Sequence, residues 1–179
     1  MTEDHKLKFV FTGSVGAGKT TAIRQISEVD PITTEAKPSD ETTARRKKTT
    51  TVAMDYGQLT LDGGQLLYLY GTPGQRRFDF MCEILTKGAL GLIILVDNSH
   101  DDPMSELDYY LNLNAAFLRS SAAVIGITHY DEKASPTVSD YYRVLEERGD
   151  PWPVMHVDAR KADDVRLLLN TMLATLEYV

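Results

Sequence analysis

The 179-residue sequence has one cysteine, Cys82, and one tryptophan, Trp152. A single thiol excludes an intramolecular disulfide framework, and no Cys/His cluster has the spacing of zinc ligands. A reducing, cytoplasmic setting is the expectation that follows. Positive charge is also scarce: 19 Lys+Arg stand against 26 Asp+Glu, a formal charge of −7. That balance argues against a nucleic-acid binder working through a broad basic face. No apolar run approaches the ~20 residues of a membrane span. The opening MTEDHK does not read as a signal peptide, Thr2 stands where myristoylation needs glycine, and no Cys lies near the final LEYV. No direct membrane anchor is therefore expected. The hydrophobic content of 42% and charged content of 25% are ordinary, and the length suits a single domain over residues 1–179.

Short apolar runs alternate with helical patterns along the chain. Residues 6–12, 91–97 and 122–128 read as buried strands, and residues 154–157 as a shorter one. Residues 52–61 and 65–70 read as two strands joined at Asp62-Gly63-Gly64, a hairpin signal. Helices are expected at 20–29, 78–87, 105–118, 138–147 and 162–176. Residues 29–50 lack periodicity and carry the basic run 45–48, the pattern of a long functional loop. Strands alternating with helices imply an α/β fold with a mostly parallel sheet covered on both faces, plus an antiparallel edge strand from the hairpin.

The strongest motif is Gly13-Ser14-Val15-Gly16-Ala17-Gly18-Lys19-Thr20, a complete G-x-x-x-x-G-K-[ST] between a strand and a helix, with Thr21 following. Backbone amides of such a loop form an anion nest at a helix N-terminus. Lys19 suits the β- and γ-phosphates and the Thr20 hydroxyl suits Mg2+. These residues imply a nucleoside triphosphate site.

Two further segments, Thr51-Val52-Ala53-Met54-Asp55-Tyr56 and Tyr70-Gly71-Thr72-Pro73-Gly74-Gln75-Arg76-Arg77-Phe78, resemble signatures of Ras-like small GTPases. Over essentially the whole chain the order of elements resembles that family. The wording is most similar to bacterial Ras-like GTPases associated with roadblock-domain proteins, the Mgl-like and conservon-type groups. The resemblance implies a P-loop NTPase of the Ras-like three-layer fold, with a six-stranded, mostly parallel sheet. It also implies GTP/GDP and Mg2+ as ligands, a roadblock-domain protein as activator or effector, and further exchange factors and effectors that the sequence does not name.

By the same resemblance Thr51 senses the γ-phosphate and Mg2+, Gly74 senses it through its amide, and Gln75 orients the attacking water, with Lys19 completing the catalytic set. Thr51 as a strand-entry residue and Gln75 as a surface-loop residue remain open. Thr128-His129-Tyr130-Asp131 stands where the family carries [NT]-K-x-D. A carboxylate at Asp131 accepts from guanine N1 and N2, although an acidic residue there also suits a helix cap. His129 replaces the usual lysine. Asp158-Ala159-Arg160 resembles the loop whose alanine amide contacts guanine O6.

Gly71 departs from the family, which has a Mg2+-holding aspartate there. Asp55 on the neighbouring strand either supplies the missing charge or is a structural strand residue. Arg45, Arg46, Arg76 and Arg77 are each either a transition-state cation or a solvated basic residue. The resemblance implies a GTP-hydrolysing switch built on residues 29–51 and 71–86. A GTP-binding adaptor without hydrolysis is the alternative, and membrane recruitment in either case runs through a partner. A small-molecule kinase is a third reading, disfavoured because no arginine-rich lid is visible.

Overall fold

A computed structural model describes residues 7–33 and 54–177. Among these residues the strands are β1 (Leu7–Thr12), β2 (Ile32–Thr33), β3 (Asp55–Thr60), β4 (Leu66–Gly71), β5 (Gly91–Asp97), β6 (Ala122–Thr128) and β7 (Val154–His156). The helices are α1 (Lys19–Ile26), α2 (Phe80–Thr86), α3 (Pro103–Leu113), α4 (Ala115–Leu118), α5 (Val138–Arg148) and α6 (Ala162–Leu176). They make one sheet of order β2-β3-β4-β1-β5-β6-β7. The strands β4, β1, β5, β6 and β7 run parallel, and β3 runs antiparallel to β4. All six expected strands are present, and the two-residue β2 adds a pairing outside β3.

The central strands lie inside because they have no polar alternation: Phe9, Val10 and Phe11 of β1 and Leu92–Leu95 of β5 are fully buried. Parallel connections require crossover helices, and their right-handed sense decides which face each helix takes. The chain moves from β1 to β4 in one direction and from β5 to β6 to β7 in the other. Consequently α1 covers one face, where α6 packs beside it, and α2, α3 and α5 cover the other.

Several helix boundaries differ from the expectation, among them the start of the helix expected over 78–87, which lies at Phe80. The helix expected over 20–29 ends at Ile26, because Ser27 Oγ accepts from the Gln58 amide at 3.1 Å and Glu28 accepts from the Thr60 amide at 3.0 Å, binding the chain to β3 instead. The helix expected over 105–118 starts earlier, with Asp102 accepting from the Ser105 amide at 3.0 Å and Pro103 in the first turn. It breaks at Asn114, whose buried side chain donates to the Tyr110 carbonyl at 2.8 Å and competes with the helical pattern. At the other end, residues 76–78 form a 3-10 turn before α2.

The parallel arrangement brings the C-terminal ends of β1, β5, β6 and β7 to one edge. Asn98, just past β5, braces that edge: its amide donates to the Thr128 carbonyl at 3.0 Å and its side chain to the carbonyls of Lys133 and Pro136. The buried Tyr141 hydroxyl of α5 donates to Asn98 Oδ1 at 2.8 Å. Tyr141→Phe leaves that acceptor buried without a donor, so it is expected to lower stability by about 1–2 kcal/mol. Urea unfolding should show this as a lower midpoint with an unchanged slope.

Candidate nucleotide-binding site

The loop from Gly13 to Gly18 leaves the buried end of β1 and enters α1, with φ values of 143°, 85° and 100° at Gly13, Gly16 and Gly18. Lys19 lies back along it, and its Nζ donates to the carbonyls of Gly13 and Ser14, both at 2.6 Å. Burial lowers the Lys19 pKa to about 8, against an opposing pull from the Asp55 carboxylate. The Ser14 hydroxyl donates to Glu106 Oε2 of α3 at 2.9 Å. The other Glu106 oxygen meets His100 Nδ1 at 2.6 Å, and that hydrogen bond raises the His100 pKa.

Thr20 heads the first turn of α1, and its hydroxyl donates to Asp55 Oδ2 at 2.5 Å. Asp55 is buried on β3, directly opposite Gly71 of β4. A Cβ on Gly71 would lie 3.0 Å from Asp55 Oδ2 and 3.2 Å from Ile23 Cδ1, so the pair has room for one acidic side chain, supplied from β3. Asp55 thus places a carboxylate against the Thr20 hydroxyl, an arrangement that suits both sequence readings of Asp55. A hydroxyl and a carboxylate side by side form an oxygen donor set of the kind Mg2+ takes, with phosphate and water completing it. Thr51, Arg45 and Arg46 lie outside the described residues.

The segment after β4 rests on the P-loop. Thr72 Oγ1 donates to Thr12 Oγ1 at 3.0 Å, and a Cβ at Gly74 would stand 2.5 Å from the Val15 amide nitrogen, so only glycine fits there. Gln75 is exposed at the entry to the 3-10 turn. Arg76 stacks its guanidinium 4.1 Å from the centre of the Tyr109 ring, and Arg77 lies 4.7 Å from that of Phe78. Tyr109 in turn donates its hydroxyl to Asp79.

A cavity of about 260 Å3 opens beside the P-loop. Its lining unites Gly16, Gly18 and Thr21 with Thr128, His129 and Asp131 after β6 and with Asp158, Ala159 and Arg160 after β7. Three motifs that are far apart in sequence thus share one wall. Thr128 Oγ1 donates to the Ala17 carbonyl at 3.0 Å, and His129 Nε2 lies 3.3 Å from the Gly16 carbonyl. A Cβ on Gly18 would come within 2.9 Å of Ala159 Cβ, which sets how closely the 158–160 loop approaches. Arg160 donates from Nε and Nη2 to Asp158, at 2.8 and 2.9 Å, and holds that carboxyl at about 2. A larger cavity of about 590 Å3, walled by Tyr142 and Trp152, lies before β7 instead of after it and contains none of these residues.

Glu106, His100 and Asp97 carry no motif, and sequence reading places none of them at the site. The available signal is positional: Asp97 closes a fully apolar strand at the edge where ligands of such sheets bind. Among the described residues no group of three or more His, Cys, Asp and Glu gathers to hold a metal, and Asp102 caps α3. No helix among them is long and apolar enough to cross a membrane.

The fold and this loop define a P-loop nucleotide-binding protein with a GTPase-like architecture. Residues 29–178 match the family described as "Conserved hypothetical ATP binding protein", and the chain belongs to that family. The matched span begins after the P-loop, which therefore stands on its own residues and geometry. The uncharacterized protein MJ1339 of Methanocaldococcus jannaschii is 33% identical over 94 residues, covering 52% of this chain and 53% of that protein. The chain thus spans about half the length of this curated relative. Among solved structures, a bacterial selenocysteine-specific elongation factor, EF-Sec, superposes with a TM-score of 0.64. It is 18% identical and covers 97% of this chain but 29% of the other, a likeness of fold.

A bound phosphate beside Lys19 replaces the solvation that burial removes, so nucleotide binding favours its charged form. The sign follows: binding takes up protons above about pH 8 and weakens as pH rises through that value. Calorimetry near pH 8.5 in buffers of different ionisation enthalpy should show net proton uptake, absent in Lys19→Ala.

Proposed function

We propose that the chain is a guanine-nucleotide switch that binds GTP with Mg2+ and hydrolyses it to GDP. The observation that carries this reading is the cavity wall shared by Thr128, Asp131 and Ala159 beside the P-loop. A carboxylate at Asp131 offers two acceptor oxygens to the N1 and N2 donors of guanine, whereas adenine presents no such pair. The family description names ATP, so base choice is the first property to measure. Asp131→Ala is expected to reduce the preference for GTP over ATP by at least about a hundredfold in competition binding. An unchanged preference would place the base elsewhere.

Thr20 and Asp55 are the residues that would hold Mg2+, joined by Thr51 from outside the described residues. Bound there, the ion neutralises charge on the β- and γ-phosphate oxygens. Lys19 binds the same phosphates, the amide of Gly74 donates to the γ-phosphate, and Gln75 orients the water for in-line attack. Gln75 being exposed, and Arg76 being stacked on Tyr109, suits slow turnover until a partner rearranges residues 71–86. In this reading that partner is a roadblock-domain protein, the chain is cytoplasmic, and any recruitment to membranes goes through a partner.

The second reading is an adaptor that binds GTP without hydrolysing it, and Gly71 favours it because the usual aspartate is missing. Single-turnover phosphate release separates the two. Measurable release from wild type, lost in Gln75→Leu and reduced about tenfold or more in Asp55→Asn, supports the switch. Tight GTP binding without release, with or without a partner, supports the adaptor.

A further inference from the structure

We propose that His129 is a positioning residue that fastens the base-binding loop to the P-loop as an imidazolium, so that guanine-nucleotide affinity falls as His129 gives up its proton. The inference rests on the guanine-site reading above. It starts from the two ring nitrogens, each of which faces an acceptor. Nε2 lies 3.3 Å from the Gly16 carbonyl and 3.8 Å from Asp97 Oδ2, and Nδ1 lies 3.0 Å from Glu132 Oε1. A neutral imidazole carries one N–H and cannot donate to both sides, whereas the cation donates to both. Deprotonation therefore costs one of the two links and turns a lone pair toward an oxygen.

The backbone is arranged for this contact. His129 has φ 52°, the left-handed conformation that a non-glycine residue adopts at some cost, and there its ring spans from the 3-10 turn at Tyr130–Glu132 to the P-loop. Glycine or asparagine would enter that turn more easily, but neither reaches Gly16. The ring ties the turn to the P-loop beside the Thr128 hydroxyl on the Ala17 carbonyl and the Asn98 side chain on the Lys133 carbonyl.

The electrostatic surroundings agree from each element in contact. The P-loop presents the Gly16 carbonyl. The end of β5 presents Asp97, which also accepts from Ser99 and lies 3.4 Å from His100 Nε2. The 3-10 turn presents Glu132. Arg160, which feels both Asp131 and Glu132, is the facing cation and is engaged by Asp158. Partial burial pulls the His129 pKa down, but Glu132, Asp97 and the Gly16 carbonyl outweigh it and leave the pKa above 6.5. The link is thus made below that raised value and lost as pH climbs through it.

A lysine would make the P-loop contact at every accessible pH, so His129→Lys is the informative variant. The equilibrium affinity for Mg2+·GDP would be measured at about pH 6, 7 and 8. For wild type an about three- to tenfold weakening across this range is expected. His129→Lys should bind tightly and His129→Gln weakly, both with only the shallow slope that Lys19 gives as pH nears 8. Lys19 and the nucleotide phosphates are common to all three proteins, so the slope they give is read from His129→Lys. A flat wild-type profile, or the same slope in His129→Lys, overturns the proposal. If neither wild type nor His129→Lys binds guanine nucleotide at any pH, the base-site reading is what fails. The link is then decided in the nucleotide-free chain by the NMR titration of the His129 ring. Protonation of both nitrogens at about pH 6, with a midpoint above 6.5, sustains it, and a midpoint at or below 6.5 overturns it.

Discussion

Residues 13–18 have to present backbone amides outward at the end of a strand that is buried on every side, and most polar contacts along this edge serve that constraint. A peptide plane carries its carbonyl and the next amide in opposite directions, so pinning one aims the other. Lys19 pins the carbonyls of Gly13 and Ser14, which aims the amides of Ser14 and Val15 away from it. Thr128 pins the carbonyl of Ala17 and aims the amide of Gly18. The donors come from α1 and from the end of β6, so the nest is built only when the sheet is closed. Gly74 then rests over the Val15 amide, which sets the segment after β4 directly against the loop.

The Asp55–Gly71 pair shows how a charge is kept while its address changes. Antiparallel pairing sets these residues opposite each other, with space for one side chain beyond Cβ. An aspartate on β4 and a small residue on β3 would satisfy the same packing. Here the order is reversed, and the carboxylate still lands on Thr20.

The buried strands, the antiparallel hairpin and the P-loop were legible because each rests on local chemistry: unbroken apolar runs for β5 and β6, Asp62-Gly63-Gly64 for the turn, and glycines ahead of Lys19. The convergence of Thr128, Asp131 and Ala159 was legible only through chain order, since nothing in those residues alone sets them beside Gly18. Contacts between single side chains were not legible. Glu106 reaches Ser14 across 92 positions, and no periodicity in α3 distinguishes it from the solvated acids nearby. The break at Asn114 was hidden for a similar reason, because a buried asparagine and an exposed one look alike in sequence.

An acidic chain that binds a polyanion must prevent its own carboxylates from repelling the ligand. Around the P-loop they are engaged: Asp55 with Thr20, Glu106 with Ser14 and His100, Asp97 with Ser99, and Glu132 with His129. Each such bond turns a repulsive charge into a brace. Lys19 is the complement. Burial has weakened its hold on its proton, so a phosphate placed beside it restores the charged form. A surface lysine would attract any anion from a distance, whereas this one rewards only an anion that enters the nest. The burial of Lys19 thus favours a phosphate inside the nest over an anion that stays outside it.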